Sequence, residues 1–193
     1  NPSNVTGFCV EGDGRLREIC NSTAFLSFAD AQPGCIVFDH CGQKLIVSEK
    51  GTNKLSVFQV LGNGTLSGPI VNPSYGSVPF GSAVLDSGIL LVTEAGTNAL
   101  SSYAVEKNGV LNVISGSVLN YQSATCWVSV EPRERYAYTS NAGSGTITEY
   151  RIECPGRLSV VDNIPSVPQG TGAPIDSGID RTGRYFYVLN GNE

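Results

Sequence analysis

The chain lacks methionine entirely, has one histidine and one tryptophan among its 193 residues, and contains no long uninterrupted apolar run. Without a run of about 18 apolar residues, a membrane-spanning helix is not expected. Its 12 lysines and arginines are scattered and its net charge is −5, which argues against nucleic acid or an anionic lipid surface as a partner. One histidine and no Cys-x-x-Cys pair predict no metal site, and nothing in the sequence predicts a cofactor.

Cysteines and glycosylation sequons favour a secreted protein. The sequons begin at Asn4, Asn21 and Asn63, and the missing methionine is typical of a mature or excised chain. Cys9 and Cys20 flank one predicted hairpin, so they are the first candidates for a disulfide, although six cysteines allow many pairings. The disulfide candidates are Cys9, Cys20, Cys35, Cys41, Cys126 and Cys154.

What the chain does contain is a repeat. Residues 44–60 form two short apolar runs around a small polar loop, and the pattern returns at residues 90–105 and 136–152. Equivalent positions lie roughly 45–50 residues apart, which is the period of a β-propeller blade or a similar β-array. Glycines between the runs supply the tight turns of antiparallel hairpins, so each unit is expected to form one four-stranded sheet.

The repeat predicts a single propeller domain over residues 1–193, with three complete blades at residues 32–78, 79–123 and 124–172. Residues 1–31 are expected to supply strands three and four of a first blade, and residues 173–193 strands one and two of a last blade. Such an arrangement leaves sheet edges open, so the remaining blades of the same protein, or another chain, are the expected partners. The alternative is a closed four-bladed ring in which the first strands complete the last pair.

Two sets of residues recur at equivalent positions. Each third strand carries an aromatic residue that is expected to pack one sheet on the next, namely Phe8, Phe58, Tyr103 and Tyr150. Each second strand ends on an acid or an amide, namely Glu49, Glu94, Asn141 and Asn190. Because second strands end and first strands begin on the same face of a propeller, the polar set is expected on one rim of the channel, with Phe80 and Trp127 as apolar walls.

The polar set has two interpretations. Carboxylates at a channel mouth can do acid–base work or bind a cation. Alternatively, each acid or amide caps its own loop by accepting hydrogen bonds from the backbone that follows, and the replacement of Glu by Asn in half of the units favours this. Trp127 can likewise stack a ligand ring or fill the core. Cys126 beside it is interpreted as a buried thiol or as half of a disulfide.

A family resemblance is carried by segments in several units, namely residues 47–53, 55–58, 79–81, 93–95, 101–103, 124–127, 138–146 and 183–190. These segments resemble the lactonase-type seven-bladed β-propeller family, which includes 6-phosphogluconolactonase and 3-carboxy-cis,cis-muconate lactonising enzyme. The branch they resemble is secreted and muconate cyclase-like. The resemblance implies an all-β fold, a β-propeller of four-stranded antiparallel blades, of which this chain is about half of a seven-bladed ring.

The resemblance also implies a function. A secreted lactone hydrolase or cycloisomerase of this type would act on, or bind, a small carboxylated ring compound at the channel mouth. Family enzymes place charged and histidine residues there, whereas this chain has residues 79–81 and 125–127 at such positions, and His40 is expected on the opposite rim. The alternatives are a non-catalytic secreted propeller that binds a small molecule or a glycan, and a surface antigen without a ligand. No catalytic residue is assigned.

Overall fold

The computed structural model describes residues 2–167 and 172–191, which form eighteen β-strands joined by turns. The first eight are β1 (Asn4–Val5), β2 (Phe8–Val10), β3 (Leu16–Glu18), β4 (Ala24–Phe25), β5 (Pro33–Phe38), β6 (Lys44–Glu49), β7 (Lys54–Val60) and β8 (Leu66–Pro73). The next ten are β9 (Pro79–Val84), β10 (Ile89–Glu94), β11 (Ala99–Val105), β12 (Leu111–Leu119), β13 (Thr125–Val130), β14 (Tyr136–Asn141), β15 (Thr146–Glu153), β16 (Arg157–Pro165), β17 (Ala173–Ile179) and β18 (Phe186–Gly191). Within the described ranges, no helix is long and apolar enough to cross a membrane.

Consecutive groups of four strands form antiparallel sheets, which is the meander of propeller blades. Blade A consists of β5–β8, blade B of β9–β12 and blade C of β13–β16. The strands β17 and β18 pair with each other, and at the other end of the chain β1 pairs with β4 and β2 with β3. Among the described residues, no strand pairing joins β1–β4 to β17 or β18, so the closed four-bladed alternative receives no support. The predicted fold class, an all-β partial propeller, is confirmed.

The hydrophobic core lies between the blades. Leu55 and Val57 of blade A pack with Leu90, Val92 and Tyr103 of blade B, and a second cluster joins blades B and C around Tyr150. The aromatic residues of the third strands in all three blades are fully buried, as the packing interpretation predicts, namely Phe58, Tyr103 and Tyr150.

Phe8 differs from these three aromatic residues because its side chain is 51 % exposed. It lies on β2, which belongs to a two-stranded sheet rather than to a full blade. No further blade covers Phe8 in the described part of the chain. The aromatic residue of the repeat is therefore buried where a blade has a neighbour on that side and exposed where it has none.

Candidate functional site

The acid at the end of the second strand of blade A is inside the blade. Glu49 is fully buried, and its carboxylate accepts hydrogen bonds from the hydroxyls of Ser56 (2.5 Å) and Thr52 (2.6 Å). It also accepts from the N–H of Ser27 (3.0 Å) and from the hydroxyl of the same residue. Burial raises the pKa of Glu49, but the hydrogen bonds from Ser27, Ser56 and Thr52 outweigh it and lower that pKa below its ordinary value.

Blade B repeats this arrangement with different donors. Glu94 is also fully buried, and it accepts hydrogen bonds from the N–H of Gly76 (2.9 Å) and from the hydroxyls of Ser101 (2.5 Å) and Ser117 (2.5 Å). A Cβ on Gly76 would stand 2.0 Å from a carboxylate oxygen of Glu94, so the linker before β9 needs glycine there. The carboxylate thus joins the linker, the third strand and the fourth strand of one blade.

Blade C uses an amide in place of the carboxylate. The side chain of Asn141 is fully buried, accepts hydrogen bonds from Thr125 (2.9 Å) and Asn120 (2.9 Å), and donates to the hydroxyl of Thr148 (2.8 Å). An amide can both accept and donate hydrogen bonds, so it makes the equivalent contacts within the blade without a charge. In the last hairpin, the Oδ1 atom of Asn190 is buried and has no hydrogen-bond partner among the described residues.

The polar side chains that end the second strands of blades A to C are therefore buried within their own blades. No hydrogen bond joins any two of the four polar strand ends within residues 2–167 and 172–191, and the first three hold their own blades together. Their partners are mainly hydroxyls of the third strand and donors before the first strand, rather than the following backbone. Sequence reasoning missed the hydroxyl that follows each polar residue seven positions later in blades A to C, namely Ser56, Ser101 and Thr148.

The two aromatic residues predicted as walls do come together. Phe80 lies near the start of β9 and Trp127 near the start of β13, and their rings meet edge to face with centroids 5.1 Å apart at an interplanar angle of 89°. Both side chains are partly exposed. We call this pair the aromatic wall. Edge-to-face packing leaves ring surface available for contact with a further flat group.

Glycine lets the first strands of blades B and C approach each other at the aromatic wall. A Cβ on Gly81 would stand 2.5 Å from the carbonyl oxygen of Cys126 and 2.9 Å from the Cα of Trp127. Real Cβ atoms do not approach backbone so closely, so only glycine fits here. The close approach is also supported by Thr93, whose hydroxyl donates to the carbonyl of Cys126 and accepts from the N–H of Gly81 (2.8 Å).

Blades A and B are joined by an equivalent hydrogen bond. The hydroxyl of Ser48 on β6 donates to the carbonyl of Phe80 (2.6 Å) and accepts from the N–H of Cys35 (2.9 Å). A hydroxyl at the penultimate position of a second strand therefore holds the first strand of its own blade beside that of the next. In blade C the corresponding hydroxyl, on Ser140, is buried and has no partner among the described residues.

The thiols near the aromatic wall are not arranged as nucleophiles. The thiol of Cys126 donates to the carbonyl of Ala124 (3.0 Å), and burial raises the pKa of Cys126, which disfavours the reactive thiolate. Burial also raises the pKa of Cys35. His40 lies in the exposed turn between β5 and β6, where its Nδ1 contacts a carboxylate oxygen of Asp86 at 3.4 Å. It therefore does not act as a base for either thiol.

All six cysteines are free thiols in the structure, so the predicted Cys9–Cys20 disulfide is not formed there. The three sequon asparagines are exposed. Asn63 lies in the turn between β7 and β8, where its side chain accepts from the N–H and the hydroxyl of Thr65 (3.1 and 2.7 Å). In the part of the chain that the structure describes, no three or more His, Cys, Asp or Glu residues are grouped so that they could hold a metal ion.

No protein-family model matches the chain, and no curated protein matches it by sequence. Solved structures do match. A Bacteroides uniformis protein assigned as a 6-phosphogluconolactonase superposes with a TM-score of 0.79 at 15 % identity, over 97 % of this chain and 57 % of that one. A periplasmic gluconolactonase from Pseudomonas aeruginosa gives 0.79 at 19 % identity, over 97 % and 56 %.

A virginiamycin B lyase from Staphylococcus aureus also matches, with a TM-score of 0.66 at 14 % identity, over 95 % of this chain and 56 % of that one. The chain spans about half the length of the solved structures that it matches. At these identities the likeness concerns the fold and leaves the chemistry open, since a lactonase and a lyase share it. The chain has the fold of lactonase-type propellers.

Proposed function

We propose that this chain forms part of the ligand-binding channel of a secreted, lactonase-like propeller that acts on, or binds, a small carboxylated ring compound. The observation that carries the proposal is the aromatic wall. It presents partly exposed ring surface from two neighbouring first strands. Propeller blades are arranged around a central channel. Small-molecule sites commonly combine aromatic walls with a few polar groups. The names of the matched lactonase structures support the lactonase part of the proposal.

The proposal is tested by assaying the full-length protein with a panel of sugar-acid lactones and with cyclic muconate compounds. Turnover that falls strongly in Trp127→Ala, with an unchanged circular dichroism spectrum, supports a lactonase or cycloisomerase acting at the aromatic wall. Turnover that is insensitive to Trp127→Ala would move the reaction away from this wall. Absence of turnover with every lactone and muconate would overturn the enzymatic form.

A second candidate is a secreted propeller that binds a small molecule or a glycan without turning it over. The observation that favours it is the state of the acids: Glu49 and Glu94 are buried and hydrogen-bonded within their blades, so neither is available as a general base. The thiol of Cys126 is likewise occupied. Ligand binding without turnover would support this candidate. If the protein neither binds nor turns over a ligand, the surface antigen is the alternative that remains.

The open faces of the partial propeller require a partner, and we propose further propeller strands of the same protein. Tyr187 and Leu189 on β18 are 70 % and 58 % exposed, and Val10 on β2 is 74 % exposed. In blades A to C, by contrast, the second strands are largely buried. The intact mass of the natural protein tests this: a mass near 20.3 kDa would contradict it and require another chain instead.

Secretion and glycosylation are proposed from the exposure of the three sequons. Asn63 and Asn21 are expected to carry glycans first, because Asn63 occupies a hairpin turn and Asn21 an exposed turn beyond β3. Glycosidase treatment followed by mass measurement at each site tests this.

A further inference from the structure

Lys50 stands at the aromatic wall. It follows β6 directly, and its Nζ lies 4.7 Å from the centroid of the Phe80 ring. The stem of the lysine passes over Gly34, where a Cβ would stand 3.3 Å from the lysine Cγ. The side chain is partly exposed, and its charge lies close enough to Cys126 to lower the pKa of that thiol, against the larger opposing effect of burial.

No carboxylate neutralises this ammonium group in the described part of the chain. Four ion pairs and one histidine–aspartate contact occur there, and none of them includes Lys50. The adjacent Glu49 points into the blade, where its carboxylate is already satisfied. The Phe80 ring attracts the ammonium group through a cation–π contact, but the ring does not accept a hydrogen bond in the way a carboxylate does. The cation at the aromatic wall therefore keeps its capacity to bind an anion.

Lys50 also departs from the repeat. The equivalent position, directly after the polar end of the second strand, is Ala95 in blade B and Ala142 in blade C. Both of those blades fold in the same way with a methyl group at this position. The long cation of blade A is thus not required by the packing of a blade, which separates it from Glu49, Glu94 and Asn141.

We infer that Lys50 is the anion-binding residue of the channel mouth, and that it takes the carboxylate of a ligand whose flat ring packs against Trp127 and Phe80. The inference rests on the proposed function, because it assigns the charged half of the same site. A carboxylate on Lys50 forms a charge-assisted hydrogen bond, and a ring attached to it is in reach of the aromatic wall. The ligand class is a small flat-ring carboxylate.

The test uses benzoate as a probe of this class and benzamide as its uncharged isostere. Binding to the full-length protein is measured by titration calorimetry at low salt for the native protein, Lys50→Met, Lys50→Arg and the control Lys107→Met, whose lysine lies in an exposed turn of blade B. Benzoate should bind the native protein more tightly than benzamide does. Lys50→Met should weaken benzoate binding by about tenfold to a hundredfold, as for one charge-assisted contact.

Lys50→Arg should retain most of the affinity for benzoate, and Lys107→Met all of it. Equal affinity of the native protein for benzoate and benzamide, or unchanged benzoate binding in Lys50→Met, would overturn the inference. The lactone and muconate assays on the same samples separate the two proposals. Turnover that survives Lys50→Met together with unchanged benzoate binding removes the anion-binding role but keeps the proposed enzyme. Benzoate binding that depends on Lys50, without any turnover, keeps the anion site and removes the enzyme.

Discussion

Replacing Glu49 with alanine should destabilise the protein far more than its position at a strand end suggests. The substitution leaves the N–H of Ser27 and the buried hydroxyl of Ser56 without their acceptor. A buried donor without a partner costs about 1–3 kcal/mol, and the half-buried N–H of Ser27 adds less than that, so the free energy of unfolding should fall by roughly 2–4 kcal/mol. Glu49→Gln keeps the shape and one acceptor oxygen, and the loss should be about 1–3 kcal/mol.

The assay is urea unfolding followed by circular dichroism, with Glu153→Ala as the matched control because Glu153 is exposed. The control should stay within about 0.5 kcal/mol of the native protein. If Glu49→Ala is no worse than Glu153→Ala, the carboxylate does not hold the blade together. The interpretation of Glu49 as a ligand-binding rim residue would then have to be restored.

The pH dependence gives a second check on Glu49. Because the folded state lowers the pKa of this carboxyl, its contribution to stability is present above about pH 4.3, the ordinary value for glutamate, and is lost as the pH falls through the lowered pKa. The stability difference between the native protein and Glu49→Gln should therefore shrink between pH 7 and pH 3. A difference that stays constant over this range would contradict the lowered pKa.

Three further predictions concern the junction of blades B and C and the polar set. Thr93→Val should lower the free energy of unfolding by about 1–3 kcal/mol in urea unfolding, because the carbonyl of Cys126 loses its donor; an unchanged value would mean that the bond does not matter. Gly81→Ala should cost about 1–3 kcal/mol and change the near-ultraviolet circular dichroism, because the new methyl group meets the backbone of Trp127; an unchanged spectrum would contradict this. Glu94→Ala should lower the melting temperature but leave benzoate affinity intact, whereas Trp127→Ala should reduce that affinity; the reverse pattern would return Glu94 to the ligand site.

Repetition in the sequence predicted the architecture well. Glycine-punctuated apolar runs at a regular spacing specify hairpins, and the buried aromatic residues Phe58, Tyr103 and Tyr150 follow from one position per unit facing the next sheet. The pairing of Phe80 with Trp127 was also accessible, since both lie at starts of first strands. These features depend on period and strand order, which a single sequence contains.

The direction in which polar side chains point was not accessible in the same way. Whether Glu49 faces a channel or its own blade depends on donors such as Ser27, 22 positions earlier in the chain, and these become neighbours only after the sheets have packed. A lone lysine in a polar loop carries no pattern, so the sequence does not single out Lys50. Its contact with Phe80 crosses from one blade to the next, and no spacing within a unit predicts such a contact.

In a repeat fold, the residues that recur in every unit and the residues that serve a ligand therefore need not be the same. A residue that recurs in every unit, such as the polar end of the second strand, is explained by a need that every blade has, and here that need is hydrogen-bonding across the blade. The next residue lies in the turn that follows the strand. That next position is free to differ between blades, and it is lysine in blade A and alanine in blades B and C. The lysine of blade A lies beside the aromatic wall, so a ligand bound there would meet an asymmetric site on a nearly symmetric scaffold.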